Sequence, residues 1–339
     1  MKGFKKNLST LPNSSFASVM GTGILSDALF HLGMMALSYL LMFLSISIYI
    51  GLIGSFLLKL FLLKGNIFKY SSKTVMQAFT FIAGTSVLFT RLYESHISIY
   101  PLVIVIVLLG VTILFISLYL LTLNFHNEEK ENYLLFLPLI SFLSFSILIG
   151  VTQNQIPFIF VSLEFLLVII SQIGTILVIT YSLIYNHKRP VHIQDINGYY
   201  MIYSGILSLL GYSILGTPVY DNIQMTIGYI FHYMATVDII ASIFIALFMF
   251  IVFIVKIKNG LFNKKYKISS WGALFPLGVD SIGYYSMSEI YHVQFFDDLS
   301  YFFTFLAILV LIGIIMEFIL YVLQSEKQNF TEHSEIMSE

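Results

Sequence analysis

The sequence contains no cysteine, which excludes a disulfide framework, thiolate catalysis and thiol-ligated metal sites. Charge is almost as scarce. Asp, Glu, Lys and Arg together make up 10% of the residues, where a soluble domain of this size carries about a quarter. The formal net charge of −1 implies no acidic polymer as a partner and provides no basic face for nucleic acid. The basic start, MKGFKKNLSTLPNSS, has no small-residue cleavage site after its first apolar run. A start-transfer helix that stays in the protein is therefore expected.

Apolar length is what the chain has in abundance. Its 339 residues are 58% hydrophobic, with a mean hydropathy of +0.89. This describes an all-α polytopic membrane protein, expected in the cell membrane. A hydrocarbon core about 30 Å thick needs roughly 20 apolar residues per helix. That template places ten spans near 16–30, 33–58, 74–91, 98–124, 133–151, 157–185, 198–216, 224–256, 270–290 and 299–323. The second and eighth apolar runs exceed one bilayer thickness and must tilt or project into the cytoplasm. The division expected is a single transmembrane domain over 1–323 and a short polar cytoplasmic tail over 324–339.

Lysine and arginine set the orientation. Lys2, Lys5 and Lys6 precede the first span, and Lys59, Lys64, Lys69 and Lys73 separate the second from the third. Lys130, then Lys188 and Arg189, follow the fourth and sixth spans. Lys256, Lys258, Lys264, Lys265 and Lys267 follow the eighth, and Lys327 lies in the tail. Only Arg91 falls on the opposite side, so both termini are predicted to be cytoplasmic.

Even spans are long and greasy; odd spans are shorter and richer in Gly, Ser, Thr and Pro. Aligned on an aromatic residue, FASVMGTG (16–23), YLLFLPLI (133–140), YMIYSGIL (200–207) and WGALFPLG (271–278) share a sixth position. There stand Gly21, Pro138, Gly205 and Pro276, while the third span carries Gly84 instead. Five hairpins with one breakable helix each suggest five inner helices around an axis and five outer helices facing lipid. Pro276 removes a backbone donor inside WGALFPLGVDSIGYYS, so a kinked or broken helix lining a solute pathway is expected.

Such breaks would expose half-helix N-termini, which attract anions. The hydroxyls of Ser18, Thr22, Ser26, Thr80, Thr85, Ser141, Ser144, Ser204 and Ser208 offer weak donors or close packing. No Lys or Arg is expected deep in a span; Arg91 sits at an outer end near Glu94. That argues against bidentate dicarboxylate recognition and for weakly selective anion permeation. Glu164, Asp238 and Asp280 fall inside spans six, eight and nine. The first two suit contacts between outer helices. Asp280 lies about 140° around the helix from Phe275 and is the candidate for proton coupling. Asp27 and Glu317 stand near span ends, within reach of water.

VMGTGIL (19–25) and WGALFPLG (271–278) resemble the tellurite-resistance/dicarboxylate transporter family. That family includes plant slow-type anion channels, bacterial TehA channels and the yeast malate permease. The resemblance implies ten transmembrane helices as five helical hairpins in a quasi-fivefold ring around a central pore, assembled as a homotrimer. It assigns the pore gate to Phe275. Pro276 and Gly278 would be its kink, and Gly21, Thr22 and Gly23 the facing close-approach and pore-lining positions. Leu274 replaces a small polar residue of the family pattern, and Asp280 is an unusual charge for an anion-conducting span.

The function implied is an anion channel or transporter for chloride- or nitrate-like ions, small carboxylates, or sulfite and tellurite oxyanions. A proton-coupled C4-dicarboxylate carrier is the alternative. A membrane-embedded enzyme acting on a lipid-linked substrate is a remote one. Such an enzyme wants Asp, Glu and His clustered on large loops. Here HNEEKENY (126–133) looks solvated, and Asp297–Asp298 stand alone on a short external loop. No cofactor and no metal site are expected.

Overall fold

The computed structural model describes residues 12–63, 72–97, 102–122, 132–156, 158–188, 198–216, 225–259 and 270–336. Among them are ten α-helices and four short 3-10 segments. The helices are α1 (Ala17–His31), α2 (Met35–Leu63), α3 (Ser72–Glu94), α4 (Leu102–Thr122) and α5 (Phe136–Val151). Then follow α6 (Phe158–Lys188), α7 (Ile202–Leu215), α8 (Met225–Lys258), α9 (Trp271–Tyr291) and α10 (Gln294–Ile336).

Short connections fold successive helices back on themselves. Leu32, Gly33 and Met34 join α1 to α2, and Gly33 takes a φ of +75°, a conformation only glycine adopts without strain. Only His292 and Val293 separate α9 from α10. His292 has a φ of 54° and its N–H caps the carbonyl of Ser288, the left-handed stop that ends a helix abruptly.

The odd helices pack in succession, α1 on α3, α3 on α5, α5 on α7, α7 on α9, and α9 back on α1. Each even helix leans on the odd helix before it. Burial follows the same division. The most apolar window of α3 is 72% buried, while that of α2 is only 17% buried. Exposed Phe43, Phe115, Leu177, Phe248 and Phe305 show where the even helices carry their apolar surface. In water such a coat would aggregate; in lipid it is the expected solvent-facing side.

Among the described residues, five helices, α2, α3, α6, α8 and α10, are long and apolar enough to cross a membrane. The inner helices α1, α5 and α7 have 15, 16 and 14 residues, about 21–24 Å of α-helix. Each is preceded by a four-residue 3-10 turn, at Asn13–Phe16, Asn132–Leu135 and Gly198–Met201. The turn adds about 8 Å, which brings these elements to about a bilayer thickness.

Three expectations are corrected here. The inner helices do not break: α-helix runs without interruption through Gly21, Gly84, Pro138, Gly205 and Pro276. One missing N–H or one glycine weakens a helix locally, and close packing on both sides holds the pattern across the weak point. The last helix continues to Ile336, so most of the segment 324–339 extends α10. Asp297 and Asp298 belong to the opening turns of α10, where negative charge suits a helix N-terminus, and not to a loop. Lys2, Lys5, Lys6, Lys64, Lys69, Lys130, Arg189, Lys264, Lys265 and Lys267 lie outside the described residues, as does 126–131.

Candidate functional site along the ninth helix

Helix α9 meets a different neighbour on each face, and its sequence explains each meeting. Toward α1, small residues let the backbones close in. A Cβ on Gly21 would stand 2.9 Å from Leu274 Cδ2, and one on Gly278 would stand 2.7 Å from Ile24 Cγ2. The two helices are thus seated through reciprocal glycine gaps. Toward α7, a Cβ on Gly205 would lie 2.8 Å from both Cα and Cβ of Pro276. The missing side chain at Gly205 is what admits the proline ring.

One turn further along, the α7 face becomes polar. Ser208 Oγ donates to Asp280 Oδ1 at 2.6 Å, and Ser204 Oγ donates to Oδ2 at 3.1 Å. Ser242 Oγ of α8 is 2.7 Å from Ser208 Oγ, and Tyr284 closes the chain 3.3 Å from Ser242. Toward α10, Ser281 Oγ donates to the Ser300 carbonyl at 3.0 Å and lies 2.5 Å from Thr304 Oγ1. Every polar group on these faces of α9 has a partner, as burial in an apolar interior demands.

The remaining face is apolar. Phe275, Val279 and Ile282, at helical spacing, join one cluster with Met20 of α1, Phe79 of α3, Ile140 of α5 and Ile206 of α7. Phe275 is 3% exposed. At the N-terminal end of this stripe is a cavity of about 30 Å³. All five odd helices line it, through Met20, Thr80, Leu137, Ile202 and Phe275 among others. The space accommodates a water molecule but no hydrated anion. A larger cavity of about 370 Å³ lies between α8, α9 and α10; Phe275 does not line it.

The other residues singled out from the sequence are distributed as follows. Thr22 Oγ1 donates to the Ser18 carbonyl of its own helix at 2.8 Å, so its hydroxyl is spent locally. Gly23 faces Val87 and Ser45, on α3 and α2, and not α9. Gly84 receives the Phe16 carbonyl and Met20 from the start of α1. Pro138 is half-buried in the first turn of α5, where a missing N–H costs nothing. Asp280 is fully buried and turned to α7, away from the Phe275 stripe. Asp238 accepts from Gln172 Nε2 at 3.3 Å, a contact between the outer helices α8 and α6.

At the opposite ends of α1 and α3 the sequence reading needs correction. Arg91 is completely buried. Its nitrogens donate to Ser26 Oγ at 3.2 Å, Ser95 Oγ at 2.7 Å and Ser38 Oγ at 2.8 Å. The guanidinium carbon stands 4.0 Å from the centroid of the Phe30 ring. Asp27, expected to reach water, is 2% exposed. It faces His31, whose Nε2 is 3.6 Å from Asp27 Oδ1 and 3.9 Å from Glu94 Oε1. His31 was not singled out from the sequence. The available signal was its position one turn after Asp27, on the same face of one helix.

Along α9 the inner helices are seated on one another through glycine gaps, with Gly21 and Gly278 of the two motifs at the contact between α1 and α9. The family model for voltage-dependent anion channels (SLAC1) matches residues 10–319. The chain belongs to this family. The match extends from the turn before α1 well into α10, so it takes in both motifs and every inner helix. The SLAC1 family is part of the tellurite-resistance/dicarboxylate transporter group, whose members are membrane channels or transporters for anions. No curated relative matches the chain.

Proposed function

We propose that this protein is an anion channel, or a weakly coupled anion transporter, with Phe275 as its gate. Its pathway runs along the inner faces of α1, α3, α5, α7 and α9. The packing of each odd helix on the next, and of α9 on α1, supports a quasi-fivefold ring of five hairpins. Ten membrane spans with both termini cytoplasmic, in a homotrimer, complete the reading. The observation that carries it is the position of Phe275 beside a small cavity that all five inner helices line.

The chemistry suits weak anion binding. The starts of α1, α5 and α7 meet at that cavity, where Ser14, Leu134 and Ile202 line it. Helix N-termini present N–H groups and positive partial charge. Here a 3-10 turn precedes each start and the Ala17 N–H is bonded to the carbonyls of Ser14 and Ser15, so the closed cavity is apolar and these ends act on an ion through their partial charge. Ser86 and Thr90 on α3 and Ser144 on α5 have buried hydroxyls without a hydrogen-bond partner, the kind of weak donor such a pathway would use. Such a lining strips and passes small anions without holding them. Chloride- or nitrate-like ions, small carboxylates and sulfite or tellurite oxyanions all fall in this class. Opening needs a rotamer change at Phe275 or a small rotation of α9 about its glycine contacts.

A proton-coupled C4-dicarboxylate carrier would use Asp280. Its two serine partners and its direction away from the Phe275 stripe support a structural role instead. Planar-bilayer recording of wild type and Phe275→Ala in chloride, nitrate and malate tests the gate. Current should rise in the variant for every permeant ion; unchanged basal current would sink the gating role. Liposome flux with and without a pH gradient tests coupling, and equal flux is expected.

A further inference from the structure

We propose that Asp27, His31 and Glu94 form a binding site for a divalent transition-metal ion, of the zinc class, at the C-terminal ends of α1 and α3. The proposal concerns the end of the inner helices remote from Phe275 and does not rest on the channel reading. Asp27 and His31 are four residues apart on α1, so their side chains share one face. Glu94, the last residue of α3, completes a trio in which one ligand atom from each lies within 4.8 Å of the others. Zinc bonds of about 2.0–2.2 Å place tetrahedral ligand atoms roughly 3.3–3.6 Å apart. The separations from His31 Nε2, 3.6 Å to Asp27 Oδ1 and 3.9 Å to Glu94 Oε1, need only small side-chain shifts to meet that geometry.

The second observation is what these atoms lack. Asp27 is 2% exposed, and its Oδ1, directed at His31, has no hydrogen-bond partner. His31 Nε2 and Glu94 Oε2 are also buried without a hydrogen bond of their own; the nearest polar groups are one another's, with His31 at ion-pair distance from both carboxylates and Glu94 hydrogen-bonded to Asp27. An unanswered buried carboxylate is costly, and a cation bound between these groups would answer all three residues at once. Arg91 does not fill this role. Its N–H groups are spent on Ser26, Ser38 and Ser95, and one face lies over Phe30, although its charge is within electrostatic reach of Glu94.

One imidazole nitrogen and two carboxylate oxygens favour zinc or its neighbours over magnesium and calcium, which take oxygen ligands. Three protein ligands leave a fourth position for water. The ring of Tyr285 on α9 stands 5.2 Å from that of His31 and limits its rotation. Tyr212 of α7 lies within electrostatic reach of both carboxylates. Four inner helices therefore converge on the site.

The test is calorimetric titration of Zn²⁺ into the purified full-length protein in detergent, with chelator-stripped samples. One saturable site per chain is expected, unaffected by equal Mg²⁺. His31→Gln and Glu94→Gln should each weaken it by tenfold or more, while exposed His96→Gln should leave it unchanged. Co²⁺ substitution adds a spectroscopic check: visible d–d bands in wild type that disappear in His31→Gln. His31 is a quarter exposed at the end of α1, so this variant should fold, as a single gel-filtration peak would verify. Absence of saturable binding, or binding that survives either ligand variant in folded protein, would overturn the proposal.

Discussion

At the N-terminal ends of the inner helices, Phe275, Met20 and Ile140 meet around about 30 Å³ of space. At the C-terminal ends, Arg91 is buried beside Asp27, His31 and Glu94. The first region is held by shape: glycine gaps, a proline ring and apolar side chains that interlock. The second is held by directed bonds, three serine hydroxyls answering one guanidinium. An apolar contact has no preferred partner, so one ring can leave it and return at little cost. A buried charge can leave only if its replacement satisfies the same atoms. The end built on shape is therefore suited to moving, and the end built on hydrogen bonds to staying in place.

The two buried aspartates repeat the comparison on a smaller scale. Both Asp280 oxygens accept from serines, which makes it a fixed joint between α7 and α9. Asp27 Oδ1 accepts no hydrogen bond and only faces His31 at 3.6 Å, which makes it a candidate ligand.

Phe275→Ala should give the largest functional change. Removing the ring from the shape-held end should raise anion current by roughly tenfold or more, about 1.4 kcal/mol in the open–closed balance. Bilayer recording measures it. Arg91→Met should act on stability instead. It leaves the buried hydroxyls of Ser26, Ser38 and Ser95 without their donor and should cost about 1–3 kcal/mol, measured by thermal unfolding in detergent. Arg91→Lys keeps the charge but loses the planar fork, so it should recover part of that loss. If both variants melt like wild type, the view of this end as a fixed anchor fails.

Gly205→Ala should cost about 1–3 kcal/mol, because the backbone of Pro276 cannot yield to the added methyl. The same substitution at Gly54, which has open space around it, provides the control. Asp280→Asn should have the smallest effect. An amide keeps one acceptor for the serines, so the loss should be about 1 kcal/mol, with no change in flux under a pH gradient. A flux that follows the gradient in wild type but not in this variant would restore the carrier reading.

Helix number, type and approximate limits were legible in the sequence because lipid imposes one pattern, an apolar run of bilayer length. Gly21, Gly205, Pro276 and Gly278 were legible as special positions, since glycine leaves room for a neighbouring helix and proline removes a backbone donor. Gly205 and Pro276 were misread as breaks, because the sequence does not say that Gly205 stands opposite Pro276, whereas the close approach that the resemblance implied for Gly21 is what α1 and α9 show. Arg91 belongs to α3 while Asp27 and His31 share α1, and their burial depends on how α1, α2 and α3 cross. Composition and charge by themselves determined that this chain folds as helices in a membrane. Tertiary structure alone decided that Phe275 meets four other helices, that Asp280 is answered by serines, and that Asp27 is not. Hydrophobic periodicity acts within one helix, whereas hydrogen bonds and cavities are settled only where helices from distant parts of the chain come together.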